Sequence, residues 1–410
     1  MMLKYFIFKI FVISMTIFLK FSCIKSNNNY NILFISVDDL NDWVGFMDGN
    51  SQSITPNMNK LAKEGLVFDN AYCPAPLCSP SRTAIMTGVR PSSSGIYMNS
   101  PYFRVSPMLE HILTIPQYFS KHGNYYTAAR GKIFHRPMGK YADSISWNNF
   151  QNISGNTMMD HPKKMKNILV NNTHYTNKKQ ALLDWGSLDL EFKETSDAQT
   201  AMWAANELYK DHNEPFFIGC GISKPHLPWY LPKKFFNNFP LDKIELPNIS
   251  SDDLDDIPAA GIEMTNSLDS EGDYQRMNAN NKQRELVQAY LASINYADQC
   301  VGIILDALNK SKYKDNTIVI LWGDHGWHLG EKLSYRKSKL WEEATRVPFI
   351  ISVPGITKPE SRTKRIVNLI DIYPTLSELC NLPKNKLNQG RSLVPLLFDP
   401  DIKWPFPTVT

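Results

Sequence analysis

Short runs of apolar residues, each leading into a polar cluster, recur along the chain and predict buried β-strands. The clearest runs cover residues 31–37, 125–129, 215–221, 317–322 and 347–353. Uninterrupted apolar runs of this length are typical of strands that are covered on both faces, as in parallel sheets. The last run ends at Pro354-Gly355, a turn signal.

Helical patterns alternate with these runs. The longest spans 282–308, and a shorter one spans 371–379. Apolar residues of the long helix recur every three or four positions: Leu286, Tyr290, Ile294, Ala297, Val301, Ile304 and Leu308. A helix that leads into a buried strand indicates βα units on a parallel sheet, so the sequence predicts an α/β fold.

Two stretches lack such a pattern. Residues 242–281 are rich in Asp, Ser and Asn and are predicted to form a long surface insertion, and residues 141–180 are similarly loop-rich. The insertion contains an acidic run of four aspartates, Asp252, Asp253, Asp255 and Asp256. No strand or helix fixes these carboxylates, so a solvated loop is a better interpretation than a metal site.

Composition excludes several classes of protein. The chain has 410 residues, 43% of them hydrophobic, which is enough apolar material for a packed core and excludes disorder. Its net charge of +4 is spread over the whole length, so no nucleic-acid partner is expected. The six cysteines lack paired spacing, and no disulfide framework is predicted. Cys220 and Cys300 lie in apolar patterns and are predicted to be small buried hydrophobes.

Residues 1–23 have the pattern of a signal peptide. Lys4 and Lys9 precede and flank an apolar stretch at 10–19, which is too short to span a bilayer comfortably. Ser22-Cys23 resembles a bacterial lipoprotein cleavage site, and lipidation of Cys23 and plain secretion are both open. We therefore expect an exported protein (periplasmic, on the cell surface as a lipoprotein, or secreted), whose membrane contact is limited to a lipid anchor at Cys23.

Ionisable side chains that could bind a metal or take part in catalysis follow four of the predicted strands. They are Asp38-Asp39 after the first, Lys132 and His135 after the second, Lys224 and His226 after the third, and Asp324-His325 after the fourth. The carboxyl ends of parallel strands lie at one edge of a sheet, which is where ligands of open α/β folds bind. The coincidence of four such clusters predicts a single polar site.

The carboxylates of this site predict a metal. Asp38, Asp39 and Asp324 would each resist ionisation if brought together without a compensating cation. Hard oxygen ligands, with His325 as a fourth, favour Ca²⁺ or Mg²⁺ over zinc.

The cations of the site predict an anionic substrate. Arg82, Lys132, His135 and His226, with a further lysine from Lys337 or Lys339, would repel one another unless an anion lay between them. A metal and several cations around one pocket are typical of an enzyme that acts on an oxyanion ester.

A nucleophile for such an enzyme is found at Cys78. The segment from Cys78 to Gly88 predicts a short helix, with Ser79 as N-cap and Gly88 at its end. At a helix N-terminus the backbone N–H groups activate a thiol, although a buried, inert thiol beside a helix cap fits the same pattern.

The segment Cys78-Ser79-Pro80-Ser81-Arg82 resembles the C-x-P-S-R signature of type I, formylglycine-dependent sulfatases, and the similarity extends over residues 30–398. The matching motifs, in order, are Asp38-Asp39, Gly131-Lys132 with His135, Lys224-Pro225-His226 and Asp324-His325-Gly326-Trp327. Their details are most similar to the iduronate-2-sulfatase branch of the family.

The resemblance implies an alkaline-phosphatase-like α/β fold with a central mixed, mostly parallel sheet and helices on both faces. It also implies that a formylglycine-generating or anaerobic sulfatase-maturing enzyme oxidises Cys78 to formylglycine. One Ca²⁺ would be bound by Asp38, Asp39, Asp324, His325 and residue 78. Arg82 and Lys132 would steady the formylglycine, His135 would act on its hydroxyls, and His226 and Lys337 would hold the sulfate. Lys339 would then be a surface charge.

The expected domain organisation follows the same resemblance. Residues 30–378 would form the sulfatase catalytic domain, and 379–410 would begin a C-terminal subdomain whose small sheet is largely missing. The expected activity is hydrolysis of sulfate esters of a sulfated carbohydrate, with a 2-O-sulfate on a uronic acid of a glycosaminoglycan or similar polysaccharide as the preferred substrate. Two alternatives remain open: a phosphate or phosphonate ester hydrolase of the same superfamily, and a truncated, inactive surface protein that binds glycan or metal.

Overall fold

A central β-sheet organises the part of the chain that the structure, a computed structural model, describes: residues 30–153, 183–250, 252–265 and 272–410. Within these residues the strands are β1 Asn31–Val37, β2 Leu66–Tyr72, β3 Tyr126–Gly131, β4 Asn149–Gln151, β5 Trp185–Leu188, β6 Phe216–Ile222, β7 Trp229–Pro232, β8 Thr317–Gly323, β9 His328–Leu329, β10 Tyr335–Arg336, β11 Phe349–Ser352 and β12 Ser361–Asn368.

Eight of these strands form the central sheet, in the order β12-β2-β11-β8-β1-β6-β3-β4. All neighbours are parallel except at β11, which is antiparallel to both β2 and β8. The predicted mixed, mostly parallel sheet is therefore confirmed. Two small pairs, β9 with β10 and β5 with β7, lie outside it.

The α-helices of the described residues are α1 Pro56–Glu64, α2 Cys78–Thr87, α3 Pro91–Ser94, α4 Ile115–Gly123, α5 Ser196–Tyr209, α6 Lys233–Asn237, α7 Ala259–Thr265, α8 Asp273–Ala279, α9 Gln283–Lys310, α10 Glu342–Thr345, α11 Ile372–Leu379 and α12 Val394–Phe398. The two longest helices, α5 and α9, pack against each other on one face of the sheet, whereas α2, α4 and α11 cover the other.

Each face of the sheet has its own hydrophobic core because side chains alternate along a strand. In β1, Leu33 and Ile35 contribute to the core under α5 and α9, and Ile32 and Phe34 to the core under α2, α4 and α11. Both faces of the strand are fully buried, which explains the uninterrupted apolar run in the sequence.

The predicted elements are confirmed to within about two residues at their ends, as is usual for boundaries read from a pattern. Cys220 and Cys300 are fully buried, as expected. The prediction of an irregular surface insertion at 242–281 is partly wrong, because the segment contains α7 and α8. Asp273 and Met277 of α8 are fully buried, and a helix this short shows too few turns for its apolar face to appear as a period.

Several predictions fall beyond the described residues or stay untested. The signal peptide at 1–23, with Cys23, and most of the loop-rich stretch at 141–180 lie outside the described ranges. No helix within those ranges is long and apolar enough to cross a membrane. The division at residue 378 also stays a prediction, although Leu393 and Leu396 are buried in the same core as α11.

Candidate active site

Four adjacent strands deliver the predicted polar clusters to one edge of the sheet. Asp38 and Asp324 follow β1 and β8, and Lys132 and His226 follow β3 and β6, which are neighbours in the order β8-β1-β6-β3. The edge is tightly built: a Cβ at Gly131 would lie 2.0 Å from the carbonyl oxygen of residue 221. That contact lets the backbone of Lys132 hydrogen-bond across the strand ends at 3.0 Å.

Helix α2 brings Cys78 to this edge. Cys78 is its first residue and is almost fully buried, at 1% exposure. The prediction of Ser79 as N-cap is wrong, since Leu77 holds that position and the N–H of Ser79 donates to Asn99 Oδ1 at 2.9 Å. A side chain distant in sequence thus caps the helix, and no local pattern could reveal it. Gly88 ends the helix in the left-handed conformation, as predicted.

The sulfur of Cys78 lies among cations and one imidazole. Lys337 Nζ is 2.9 Å from Sγ, His325 Nε2 is 3.2 Å away, and Lys132 Nζ is 3.9 Å away. Burial raises the pKa of the Cys78 thiol, although Lys132 and Lys337 oppose this effect. The thiol is therefore neutral at pH 7 in spite of its cationic surroundings.

Arg82, one turn further along α2, connects the carboxylates of two strands. Its side chain is completely buried, with Nε 2.7 Å from Asp324 Oδ2 and Nη2 3.2 Å from Asp38 Oδ1. Nη1 donates to the carbonyl oxygens of Lys132 and Ile133. Because every part of the guanidinium is engaged within the protein, Arg82 organises the site and does not reach towards solvent.

The predicted metal ligands form one buried cluster. Ligand atoms of Asp38, Cys78, Asp324 and His325 all lie within 4.8 Å of one another, and so do those of Asp38, Asp39, Cys78 and His226. Oδ1 of Asp39 accepts from Lys337, whereas Oδ2 is buried without a hydrogen-bond partner among the described residues. An unpaired carboxylate oxygen at such a place fits a cation.

The two adjacent aspartates differ in their electrostatics. Burial alone would raise the pKa of Asp38, but Lys132 and Arg82 outweigh it and hold that pKa well below its usual range. For Asp39, burial dominates over Lys337, and with the neighbouring Asp38 it raises the pKa to about 7. Asp38 is therefore ionised at neutral pH, and Asp39 is the carboxylate that gains most from an added positive charge.

The three histidines of the site are held neutral. Burial lowers the pKa of His226 and of His325, in both cases with help from Lys337. Burial, Lys132 and Arg136 lower the pKa of His135 to about 3. The Nδ1 of His226 contacts the carbonyl oxygen of Leu227 at 2.6 Å, which is a donating contact in a neutral ring and makes Nε2 an acceptor.

Of the two lysines considered for the site, Lys337 and Lys339, only Lys337 places its ammonium beside Cys78. Lys337 Nζ lies 2.6 Å from Asp39 Oδ1 and contacts Cys78, so it belongs to the site. Burial would lower the pKa of Lys337, but Asp39 and the other carboxylates of the site outweigh it and raise that pKa. The prediction that Lys339 is a surface charge is wrong: it is fully buried, and its ammonium donates to the carbonyls of Tyr335 and Lys337.

Several residues that support the site were not predicted. Tyr290 donates to the carbonyl oxygen of Asp39 at 2.8 Å, and Ser81 donates to that of Asp324 at 2.6 Å. Lys224 lies at the expected strand end, but its ammonium donates to the carbonyls of His226 and Pro228 and so holds their loop. The apolar spacing of α9 marked Tyr290 only as a core residue, since a hydroxyl that reaches a backbone carbonyl leaves no sequence pattern.

Comparison with known proteins finds sulfatases both by family model and by sequence identity. The family model described as Sulfatase matches residues 30–382. A sulfatase of Formosa agariphila is 36% identical over 384 residues, covering 91% of this chain and 73% of that protein. Iduronate 2-sulfatase of Mus musculus is 30% identical over 402 residues, covering 86% of this chain and 69% of that protein.

Solved structures share the fold. A 2-O GAG sulfatase aligns with a TM-score of 0.70 at 23% identity, covering 93% of this chain and 77% of its own. A phosphonate monoester hydrolase from Silicibacter pomeroyi aligns with a TM-score of 0.71 at 18% identity, covering 90% and 76%. At these identities the likeness concerns the fold alone, and the alkaline-phosphatase-like α/β architecture is confirmed.

Proposed function

This chain belongs to the sulfatase family, and from that premise we propose that it removes the 2-O-sulfate from a uronic acid of a glycosaminoglycan or similar polysaccharide. Sulfuric ester hydrolysis is the activity of the family. The position of the sulfate is the proposal, and it is supported by the identity of 30% to iduronate 2-sulfatase over most of the chain.

The observation that carries the proposal is the position of Cys78 Sγ. It lies within 3.9 Å of two ammonium groups and one imidazole, beside a cluster of buried carboxylates, at the first turn of a helix. A sulfate ester placed against residue 78 would have its oxygens next to Lys132 and Lys337. Donors fixed in a water-poor site stabilise charge on those oxygens as it develops.

We propose further that residue 78 acts as formylglycine and not as a thiol. Burial keeps the thiol neutral, and a neutral thiol is a poor nucleophile. The conversion oxidises Cβ to an aldehyde with loss of sulfur, and the maturation enzyme supplies the oxidant. A hydrated aldehyde offers one hydroxyl to attack sulfur and a second whose deprotonation releases the sulfate.

The donor set fits the Ca²⁺ proposed for this site. Asp38, Asp39, Asp324, His325 and residue 78 would hold the ion, and the buried, unpaired Oδ2 of Asp39 is the clearest sign of a place for it. Oxygen ligands predominate, as Ca²⁺ requires. A bound Ca²⁺ would polarise a sulfate oxygen.

The charges of the site favour a metal and an anionic substrate together. Arg82, Lys132 and Lys337 pair with the three aspartates, so the fixed charges already balance. A divalent cation alone would leave an excess of positive charge in a buried place. An anionic ester and an ionised nucleophile at residue 78 would offset that excess, which a neutral ester could not do.

The roles of the remaining residues follow from their charge states. Lys337 is held protonated by Asp39, whereas His226 and His135 are held neutral. We therefore assign Lys337 to the sulfate and to protonation of the leaving oxygen. His226 positions the sulfate group, and the neutral ring of His135 can accept a hydrogen bond from the hydroxyls of residue 78. Arg82 and Lys132 hold the aspartates and residue 78 in place.

The test is sulfate release by protein that has been expressed with a maturation enzyme. A 2-O-sulfated uronic acid disaccharide would be compared with 4-O- and 6-O-sulfated disaccharides and with a phosphate monoester, with Cys78→Ala as the control. We expect the 2-O-sulfate to be released fastest and Cys78→Ala to be inactive. Preference for another sulfate position would refute the substrate, and preference for phosphate would refute the ester class. Absence of any release from protein carrying the aldehyde would indicate a binding protein.

A further inference from the structure

The backbone on both sides of Lys337 is in an unfavourable conformation. Arg336 has φ = 70° and Ser338 has φ = 68°, in the left-handed region that residues with a side chain seldom adopt. Such a conformation persists only where the surroundings hold it. Between the two residues, Lys337 points its ammonium at Asp39 and Cys78.

A buried ion pair holds the first of these residues. Arg336 Nε lies 2.6 Å from Oδ2 of Asp273, whose side chain is completely buried. Oδ1 of Asp273 pairs with Arg276 in the next turn of α8. A buried carboxylate between two guanidinium groups is a strong and directional anchor, because charge-assisted hydrogen bonds fix the geometry of the groups that they join.

Further contacts join the same two parts of the chain. We name residues 252–265 and 272–279 the bracing segment. Lys332 Nζ lies 2.7 Å from Asp253 Oδ1, and Ser334 Oγ donates to the carbonyl of Thr265 at 2.8 Å. The bracing segment therefore contacts the loop before Lys337 at several points.

The opposite side of the loop is attached to the segment before α2. The N–H of Ser338 donates to the carbonyl oxygen of Pro76 at 2.9 Å, two residues before Cys78. Lys337 thus lies between a contact to the segment that carries residue 78 and the ion pair with Asp273. A shift on the Asp273 side would move the ammonium relative to the sulfur.

We propose that Asp273 is a positioning residue for Lys337: through its ion pair with Arg336 it fixes the left-handed backbone that directs the Lys337 ammonium at residue 78. The inference rests on the proposed function, in which Lys337 holds the sulfate. It gives the bracing segment, expected from its composition to be only a surface insertion, a role in the reaction.

The first test is a double-mutant cycle with a sulfated disaccharide. Asp273→Asn keeps the shape of the side chain and removes its charge, and we expect kcat to fall by about 10- to 100-fold, because small misplacements of a catalytic group are costly. In a Lys337→Ala background the same substitution should change kcat by less than about 2-fold. Equal effects in both backgrounds would overturn the proposal.

Two further variants separate positioning from folding. Asp298→Asn removes another fully buried carboxylate, one that accepts hydrogen bonds from the first turn of α1. It should lower stability and leave kcat unchanged. Arg336→Lys keeps the charge beside Asp273 and should fold even if Asp273→Asn does not. We expect it to lower kcat as well, and again only when Lys337 is present.

A second measurement does not depend on activity. Acetylation of individual lysines by acetic anhydride, followed by mass spectrometry, reports how firmly each ammonium is held. In Asp273→Asn we expect Lys337 to react at least about 10-fold faster while the buried Lys132 keeps its rate. Unchanged labelling of Lys337, or equal acceleration of both lysines, would refute the positioning role. A wild-type protein without sulfatase activity would instead refute the proposed function and leave this result standing.

Discussion

Replacement of Arg82 tests the central electrostatic claim about the site. Arg82→Met keeps most of the volume of the side chain and removes its charge and its hydrogen bonds. Asp324 then loses its 2.7 Å ion pair, Asp38 loses one at 3.2 Å, and the carbonyl of Ile133 loses its donor. Lys132 still pairs with Asp38, so the loss of a compensating positive charge is greater for Asp324.

The expected loss of stability is large because nothing can replace the guanidinium. Arg82, Asp38 and Asp324 have no exposed side-chain surface, so water cannot solvate the charges left behind. Breaking a buried pair by removal of one partner costs about 3–5 kcal/mol. This is a substantial part of a total unfolding free energy of about 5–15 kcal/mol.

The effect should also depend on pH. In the wild type the lowered pKa of Asp38 means that its ionisation stabilises the fold above its unfolded pKa, a contribution lost as pH falls through the folded value. In Arg82→Met only Lys132 remains as a close positive charge to oppose the effect of burial, so the pKa of Asp38 rises. Protonation of Asp38 at lower pH then removes part of the negative charge that the substitution leaves unpaired. The difference in unfolding free energy between variant and wild type should therefore shrink from about pH 7.5 to about pH 5.

Urea unfolding at both pH values measures these differences. The control is Arg362→Met, which removes an ion pair to Asp69 from a side chain that is 44% exposed. Exposed pairs contribute about 0–1 kcal/mol, so the control should change little at either pH. A loss below about 1 kcal/mol for Arg82→Met, or one that is the same at both pH values, would refute the electrostatic account of the site.

Three other predictions follow from the site and its surroundings. The tryptic peptide 64–82 from protein matured in the cell should carry an aldehyde at residue 78, and an unmodified thiol despite an active maturation enzyme would contradict the formylglycine proposal. Lys337→Met should lower kcat by about 100- to 1000-fold, whereas Lys339→Met should mainly destabilise the fold and affect kcat far less. Steady-state kinetics would show the larger loss of kcat for Lys339→Met if the two roles were misassigned. Burial raises the pKa of Glu331 to about 7, so its ionisation destabilises the fold as pH rises from about 4.5 to about 7. Glu331→Gln keeps an oxygen for the N–H of Leu329 and should raise the unfolding free energy by about 1–3 kcal/mol at pH 8 but not at pH 4; an equal change at both pH values would argue against this origin.

Much of the fold and site could be predicted because the signals are local. A strand such as β1 that is buried on both faces shows an apolar run, and the polar residues that follow it mark the strand end. The aspartates after β1 and β8 were found in this way, whereas Cys78 was found from its predicted helix and its resemblance to the sulfatase signature. Their meeting at one edge follows from parallel pairing, which the alternation of strands and helices indicates.

The predictions that were wrong concern contacts between distant parts of the chain. Ser79 is a good N-cap by its sequence, but Asn99 supplies the oxygen. Lys339 looks like a solvated charge, yet its ammonium is satisfied by two carbonyls of its own loop. Asp273 lies in a polar stretch and is buried because of Arg336, which lies 63 positions further along the chain. Pairing of this kind depends on tertiary packing and leaves no periodic signal.

The direction of β11, the antiparallel strand of the central sheet, follows from the path of the chain along the edge that carries the site. β2 is antiparallel to β11, and β11 is antiparallel to β8, so β2 runs in the direction of β8 and its carboxyl end also reaches the site. Cys78 is therefore delivered by a fifth strand end. After β8 the chain stays at this edge, where it supplies Asp324, His325 and Lys337 before α10 leads into β11. A strand that enters the sheet from the site edge must run against its neighbours, and β11 does so. Its antiparallel direction thus follows from the short return into the sheet after Lys337, since a parallel β11 would require a longer crossover to the opposite edge before the strand begins.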